Sequence, residues 1–110
     1  MAQNPQSIAA QRIAGHWQAT TGDPIAAIAT LERVRRWVGN RDAAVLADLA
    51  LAYGVVGRGE VARHYARAAY ALAPMNVDVV NAYAAALARI GEVDGARQLR
   101  AKAEALTKSG

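Results

Sequence analysis

The chain of 110 residues contains no cysteine and no phenylalanine, and its aromatic residues are two tryptophans and four tyrosines. Without cysteine, the chain has no disulfide, no thiolate nucleophile and no zinc site built on thiolates. It also lacks an uninterrupted run of roughly 18 apolar residues, so we expect no transmembrane helix. Alanine, in contrast, occupies 28 positions. Because alanine is the best helix former and a poor strand former, this composition predicts closely packed helices.

The charge is mildly positive, with 13 basic and 9 acidic side chains and a net charge of +4. Acidic residues are interspersed among the arginines, so the surface is basic without being that of a polycation. The polar tail over residues 1–6 has no basic stretch followed by an apolar one, so we expect no signal peptide. The expected location is the cytoplasm, or the periplasm if the chain is a piece of a longer protein.

A repeat of 34 residues organises the second part of the chain. Residues 43–76 and 77–110 align without a gap, and nine of the 34 pairs are identical. Several identities are alanine pairs, which carry little information in this composition. The more informative identities are Gly57 with Gly91, Arg63 with Arg97, and Leu72 with Leu106. Two alanine pairs, Ala62 with Ala96 and Ala69 with Ala103, add support because they lie at fixed distances from those glycines.

Each unit has the pattern of two helices joined by a short turn. In the middle unit, apolar residues recur with the period of a helix before Gly57, and a second apolar stripe follows that glycine until Pro74. A weaker copy around Gly22 precedes these two units. The predicted helices cover residues near 7–20, 24–37, 42–56, 59–72, 77–90 and 94–107.

The first helix can be read in two registers. Spacing taken straight from Gly22 would bury Gln11 and Gln18, which is unfavourable because buried amides need hydrogen-bond partners. One extra residue in the turn would remove both amides from the core, and this second register is preferred. It predicts a buried stripe of Ala10, Ile13, Ala14 and Trp17.

This pattern resembles the tetratricopeptide repeat family, which has units of 34 residues. The middle unit matches the family positions with Leu46, Leu49, Ala50, Tyr53, Gly57, Ala62, Ala69 and Pro74. The outer units depart from the pattern, since Lys108 and Gly39 stand where the family has proline. The resemblance implies an all-α fold, an α-solenoid of three antiparallel helix-turn-helix repeats in a right-handed superhelical arc. A single domain would cover residues 7–108, with repeats near 7–42, 43–76 and 77–110.

The resemblance also implies a function, because the first helices of such repeats line a concave groove. We therefore expect a scaffold or adaptor module that binds a peptide or helix of a partner protein. A turn of 100° per residue selects the positions that face the groove. They are Gln11, Arg12, Asp48, Leu51, Val55, Asp78, Asn81, Ala85 and Arg89.

The predicted groove residues have different roles. Leu51 and Val55 would supply apolar contacts, and the side chains of Asp48, Asp78 and Asn81 would supply polar specificity. Some family members use this face to bind the carboxylate at the end of a peptide. Asp48 and Asp78 would repel such a group, so we do not expect that mode of binding.

Two other functions remain as alternatives. One is nucleic-acid binding through a convex face rich in arginine, although no aromatic residues that could stack on bases accompany the arginines. The other is formation of a homo-oligomer through the uncapped ends of the solenoid. The arginines of the convex face are Arg33, Arg35, Arg36, Arg41, Arg63, Arg67, Arg97 and Arg100.

We expect no enzyme activity, no bound metal and no cofactor, because His16 and His64 are far apart in sequence and no catalytic or ligand set is visible.

Overall fold

A computed structural model describes residues 5–109, with side chains for residues 7–108. This part of the chain is all-α and contains no strand. The six predicted helices are confirmed, each end lying within two residues of its predicted position. Of the predicted tail over residues 1–6, residues 1–4 lie outside the described residues, whereas Pro5 already begins the first helix. The helices are α1 (Pro5–Thr21), α2 (Pro24–Val38), α3 (Ala43–Val55), α4 (Gly59–Leu72), α5 (Val77–Arg89) and α6 (Val93–Ser109).

Short polar side chains cap the starts of three helices. Asp23 begins α2, where its carboxylate accepts a hydrogen bond from the Ala26 amide. The carboxylate of Asp42 accepts hydrogen bonds from two amides of α3, at 3.1 and 3.2 Å. Asn76 caps α5 in the same way, at 3.1 Å from the amide of Val79. Because these bonds satisfy amides that have no partner inside the helix, they fix where each helix begins.

The three turns within the hairpins close with the same backbone hydrogen bond. Gly57 and Gly91 adopt φ angles of 86° and 85°, in the left-handed region that favours glycine. In each turn, the amide that follows the glycine bonds to a carbonyl five residues earlier. These bonds are Asp23 to Gln18 at 3.0 Å, Arg58 to Tyr53 at 2.9 Å and Glu92 to Leu87 at 2.9 Å.

The helices pack in a regular order along the chain. Each helix contacts the next one, and the odd-numbered helices also contact one another, α1 with α3 and α3 with α5. Within the described part of the chain, no packing joins α2 with α4 or α4 with α6. The odd-numbered helices therefore form one layer, and the even-numbered helices lie behind it. The central helix α3 is buried on nearly every side, over residues 45–50 and at Ala52 and Gly54.

The core between these helices is built from aliphatic side chains and alanine. Leu31, Val34 and Leu49 are fully buried where α2 packs on α3. Ala62 and Ala66 of α4 are fully buried beside α3 and α5. Small side chains at these positions let the helix axes approach closely. No described helix is both long enough and apolar enough to cross a membrane.

The preferred register of α1 is wrong. Ile13 and Trp17 are 72% and 64% exposed, and Ala10 and Ala14 are exposed with them. Gly15 is buried instead, and a Cβ atom at this position would lie 2.6 Å from Cγ of Leu31. The helix therefore packs through its glycine, in the register given by straight spacing from the turn.

This register was unfavourable in the sequence because it buries the side-chain amides of Gln11 and Gln18. The structure accommodates the two amides differently. Gln11 is half-buried, and its side-chain carbonyl accepts a hydrogen bond of 3.4 Å from Arg33 on α2. The side-chain oxygen of Gln18 is buried and has no hydrogen-bond partner among the described residues. The close contact of Gly15 with Leu31, together with the shared turn geometry, outweighs the cost of burying these two side chains.

Candidate functional site

The odd-numbered helices present a groove made of two adjoining pockets, which we call the first and second pockets. The first has a volume of about 350 Å³ and lies between α1 and α3. It is lined by Ala9, Arg12, Ile13, His16, Ala44, Val45 and Asp48. The second has a volume of about 360 Å³ and extends to α5. It is lined by His16, Thr20, Ala47, Asp48, Leu51, Asp78, Asn81 and Ala82.

The boundary between the two pockets is a hydrogen-bonded contact between His16 and Asp48 that joins α1 to α3. Nδ1 of His16 lies 3.0 and 2.9 Å from the two carboxylate oxygens of Asp48. The Asp48 side chain is only 11% exposed, whereas that of His16 is 63% exposed. Because an ionised carboxylate only accepts hydrogen bonds, Nδ1 carries the hydrogen of this contact. Nε2 is then the ring nitrogen left for other partners.

Asp48 is an unfavourable place for a negative charge. Burial raises the pKa of its carboxyl group above the ordinary value, and the hydrogen bond and charge of His16 lower it only in part. The charges of Asp78 and Asp42 raise this pKa further. Perturbed carboxyl groups of this kind are concentrated at functional sites, although buried ion pairs of purely structural importance also show them.

Arg12 contributes no free positive charge to the groove. Its guanidinium lies 2.6 Å from the carboxylate of Asp42, the same residue that caps α3. This ion pair therefore ties α1 to the start of α3 and neutralises the one arginine that lines either pocket.

The second pocket contains polar groups that have unused bonding capacity. Asp78 lies in the first turn of α5, is exposed, and forms no hydrogen bond or ion pair with any described residue. Asn81 is exposed one turn further along the same helix. The hydroxyl of Thr20 donates to the backbone carbonyl of His16 at 2.9 Å, so its remaining capacity is that of an acceptor.

The structure brings together five of the nine predicted groove residues. These are Arg12, Asp48, Leu51, Asp78 and Asn81. Asp48 differs from the prediction in one respect, because it is buried between helices rather than open to solvent. Gln11 lines neither pocket, because the register of α1 turns this residue towards Arg33.

The other three predicted residues lie outside both pockets. Val55 is exposed at the end of α3, and Ala85 is half-buried on α5. Arg89 packs across α3, where its Cδ lies 2.9 Å from the position of a Cβ atom on Gly54. The predicted binding face is therefore longer than the two pockets. Its remaining residues lie further along α3, at Val55, and along α5, at Ala85 and Arg89.

The predicted groove residues on α1 include Arg12 but neither Ile13 nor His16, both of which line the pockets. The preferred register of α1 predicts Ile13 in the core. The signal that could have located both was the straight spacing from Gly22. That spacing keeps the turn of the first hairpin identical to the turns at Gly57 and Gly91.

Away from the groove, a half-buried network of hydrogen bonds joins α2, α3 and α4. The carboxylate of Glu32 accepts hydrogen bonds from Arg35 at 2.6 Å, Tyr53 at 2.9 Å and Tyr65 at 3.0 Å. Burial acts to raise the pKa of Glu32, but these three hydrogen bonds outweigh it and hold the pKa below its ordinary value. Burial and the bond to Glu32 also raise the pKa of Tyr53 to about 12.

Ion pairs on the even-numbered helices bear on the alternative that the arginines bind nucleic acid. Arg35 is held by Glu32, Arg63 by Glu60 at 2.7 Å, and Arg97 lies 4.0 Å from Asp94. Three of the eight arginines predicted on the convex face therefore already face a carboxylate, which weakens the positive potential at these three positions.

Comparison with known proteins assigns the chain to no family. No protein-family model matches the chain, and the comparison with curated proteins finds no match. Among the described residues, no group of three or more histidine, aspartate or glutamate side chains is placed to hold a metal ion.

Proposed function

We propose that the chain is a protein-binding module of the tetratricopeptide type, whose groove on α1, α3 and α5 receives a segment of a partner protein. The observation that carries this proposal is the pair of adjoining pockets on successive odd-numbered helices. A face made by every second helix, continuous across three hairpins, has the form needed to hold an extended or helical segment.

The packing order supports the solenoid that this proposal assumes. Each hairpin contacts only its neighbours along the chain, which is the arrangement expected of stacked repeats. The shared hydrogen bond in the turns at Gly22, Gly57 and Gly91 also supports three equivalent units. The buried alanines of α4 are consistent with the close helix contacts of this family.

The apolar surface at the groove provides a driving force for binding. Ile13 lines the first pocket and is 72% exposed, and Trp17 on the next turn of α1 is 64% exposed. Covering one large apolar side chain of this kind contributes on the order of 1.5–3 kcal/mol. A partner segment that covers both side chains gains this contribution twice.

The proposal is tested with peptides selected from a random library on the unmodified chain. Ala44 is exposed in the first pocket, so Ala44→Arg should fill that pocket without disturbing the core. We expect this variant to weaken binding of the selected peptides more than about tenfold, which corresponds to about 1.4 kcal/mol. Ala101→Arg on the exposed side of α6 is the matched control and should bind as the parent does.

Circular dichroism must first show that both variants keep the helicity of the parent. Equal binding by the parent and Ala44→Arg, or failure to select any peptide, would contradict the proposal.

Self-association is the second candidate, and one observation favours it. Ala10, Ile13, Ala14 and Trp17 form an exposed apolar stripe along α1, and a second copy could cover this stripe. Sedimentation of the parent and of Trp17→Glu over a range of concentrations decides between the two functions. A dimer that Trp17→Glu converts to a monomer would assign the stripe to self-association.

A further inference from the structure

We infer that the segment bound in the groove carries a basic side chain, lysine or arginine, which enters the second pocket beside Asp78, and a neighbouring apolar side chain, which enters the first. This inference rests on the proposed function and specifies the partner of the same groove. It follows from the hydrogen-bonding capacity, the charge and the lining of the two pockets.

The second pocket is rich in hydrogen-bond acceptors. The carboxylates of Asp48 and Asp78 only accept, and the hydroxyl of Thr20 has already used its hydrogen on the carbonyl of His16. The side-chain amide of Asn81 supplies donors as well as an acceptor. A group that enters it must therefore be rich in donors, as an ammonium or a guanidinium is.

The charges around the groove select a cation for the same position. Arg12 is neutralised by Asp42, and Nδ1 of His16 is directed to Asp48. Asp78 has no such partner among the described residues, and its charge acts unfavourably on Asp48. A cation beside Asp78 relieves this repulsion, whereas an acidic segment would add to it. The groove is thus locally acidic in a chain whose net charge is +4.

The first pocket selects the neighbouring side chain. Its walls are formed largely by Ala9, Ile13, Ala44 and Val45, and its one arginine is engaged in an ion pair. The two pockets share His16 and Asp48, so they lie side by side. One short segment can therefore place an apolar side chain in the first pocket and a basic one in the second.

The test uses peptides selected from a random library on the parent chain, followed by fluorescence anisotropy with the tightest binder. We expect the selected peptides to share a lysine or arginine next to an aliphatic or aromatic residue. Asp78→Asn should weaken the tightest binder about fivefold to tenfold, in the range of a partly screened charge pair.

Asp94→Asn is the matched control. Asp94 and Asp78 are each the second residue of their helices, so both substitutions remove the same charge from the same helix position. Only Asp78 lies in the groove, and Asp94→Asn should leave the affinity unchanged.

A charge exchange makes the test specific. Asp78→Lys should reject the selected peptide and should regain affinity when the basic residue of that peptide is replaced by glutamate. Peptides without a shared basic residue, equal effects of Asp78→Asn and Asp94→Asn, or no recovery in the exchange would each overturn the inference. If Ala44→Arg still abolishes binding in that case, the groove remains the site and only the partner chemistry is wrong. If Ala44→Arg has no effect, the proposed function itself fails.

Discussion

Replacing Gly15 by alanine should destabilise the protein, although alanine is the better helix former. A Cβ atom at this position would lie 2.6 Å from Cγ of Leu31, which is fully buried. Forcing an extra carbon into such a contact costs about 1–3 kcal/mol. The gain in helix propensity from glycine to alanine is about 1 kcal/mol. The expected net result is a loss of stability, up to about 2 kcal/mol, because the overpacking outweighs the propensity.

Gly54 offers a matched control in a buried part of another helix. There the obstacle to a Cβ atom is the side chain of Arg89, with its Cδ at 2.9 Å, and this residue is exposed and can move aside. Gly54→Ala should therefore keep most of the propensity gain and stabilise the protein by up to about 1 kcal/mol. The two substitutions are chemically identical, so a difference in sign isolates the contact between Gly15 and Leu31.

Urea denaturation followed by circular dichroism measures both changes in the free energy of unfolding. Trp17→Ala belongs in the same series, because a buried tryptophan would cost about 3–5 kcal/mol and an exposed one should cost far less. If Gly15→Ala stabilises as much as Gly54→Ala does, and Trp17→Ala is strongly destabilising, the register of α1 described above is refuted.

Three further outcomes are expected. The pKa of Asp48 is raised from 3.8, so ionisation of this carboxyl group opposes folding. The contribution of the protonated Asp48 side chain to stability is fully present below pH 3.8 and is lost as the pH rises through the raised pKa. The stability gained by Asp48→Asn, measured by urea denaturation, should therefore grow as the pH rises from acid to neutral. The pKa of Glu32 is lowered from 4.5, so its ionised carboxylate stabilises the fold above pH 4.5, and this stabilisation is lost as the pH falls through the lowered pKa. Glu32→Gln should therefore reduce the free energy of unfolding at neutral pH and reduce it less in acid. In the same variant, the pKa of Tyr53, followed by ultraviolet titration, should fall from about 12. Gln18→Met, which removes a buried oxygen without a partner among the described residues, should raise the melting temperature by an amount equivalent to about 1 kcal/mol.

The six helices could be predicted from sequence because each signal is local. An apolar stripe, a capping side chain and a turn glycine are all read within a few residues of Gly57 or Gly91. The register of α1 also had a local signal, the straight spacing from Gly22, but the contact between Gly15 and Leu31 that favours this register is not local. The cost of burying two amides pointed to the wrong register, and the hydrogen bond from Arg33 that reduces this cost was not visible in the sequence.

The positions of candidate site residues on a single helix could be predicted from sequence. The contacts between residues on different helices could not be predicted in the same way. The family resemblance implied which helices line the groove, and helix periodicity then placed Asp48, Leu51 and Asp78 on it. The pairing of His16 with Asp48 depends on how far α1 is displaced along α3, which no pattern within either helix determines. The burial of Asp48 has the same origin, because the side chains that cover it come from a different part of the chain.

The packing order has a consequence for how the chain folds. Every described helix contact joins elements that are adjacent or next but one in sequence, so the mean sequence separation of native contacts is low. Low contact order is associated with fast folding, because only short loops must close before contacts form. No described contact brings α1 or α2 to α5 or α6, so a hairpin can begin to fold without waiting for the far end of the chain. We therefore expect refolding from urea to be fast, with α3 and the helices on either side of it among the first to become ordered.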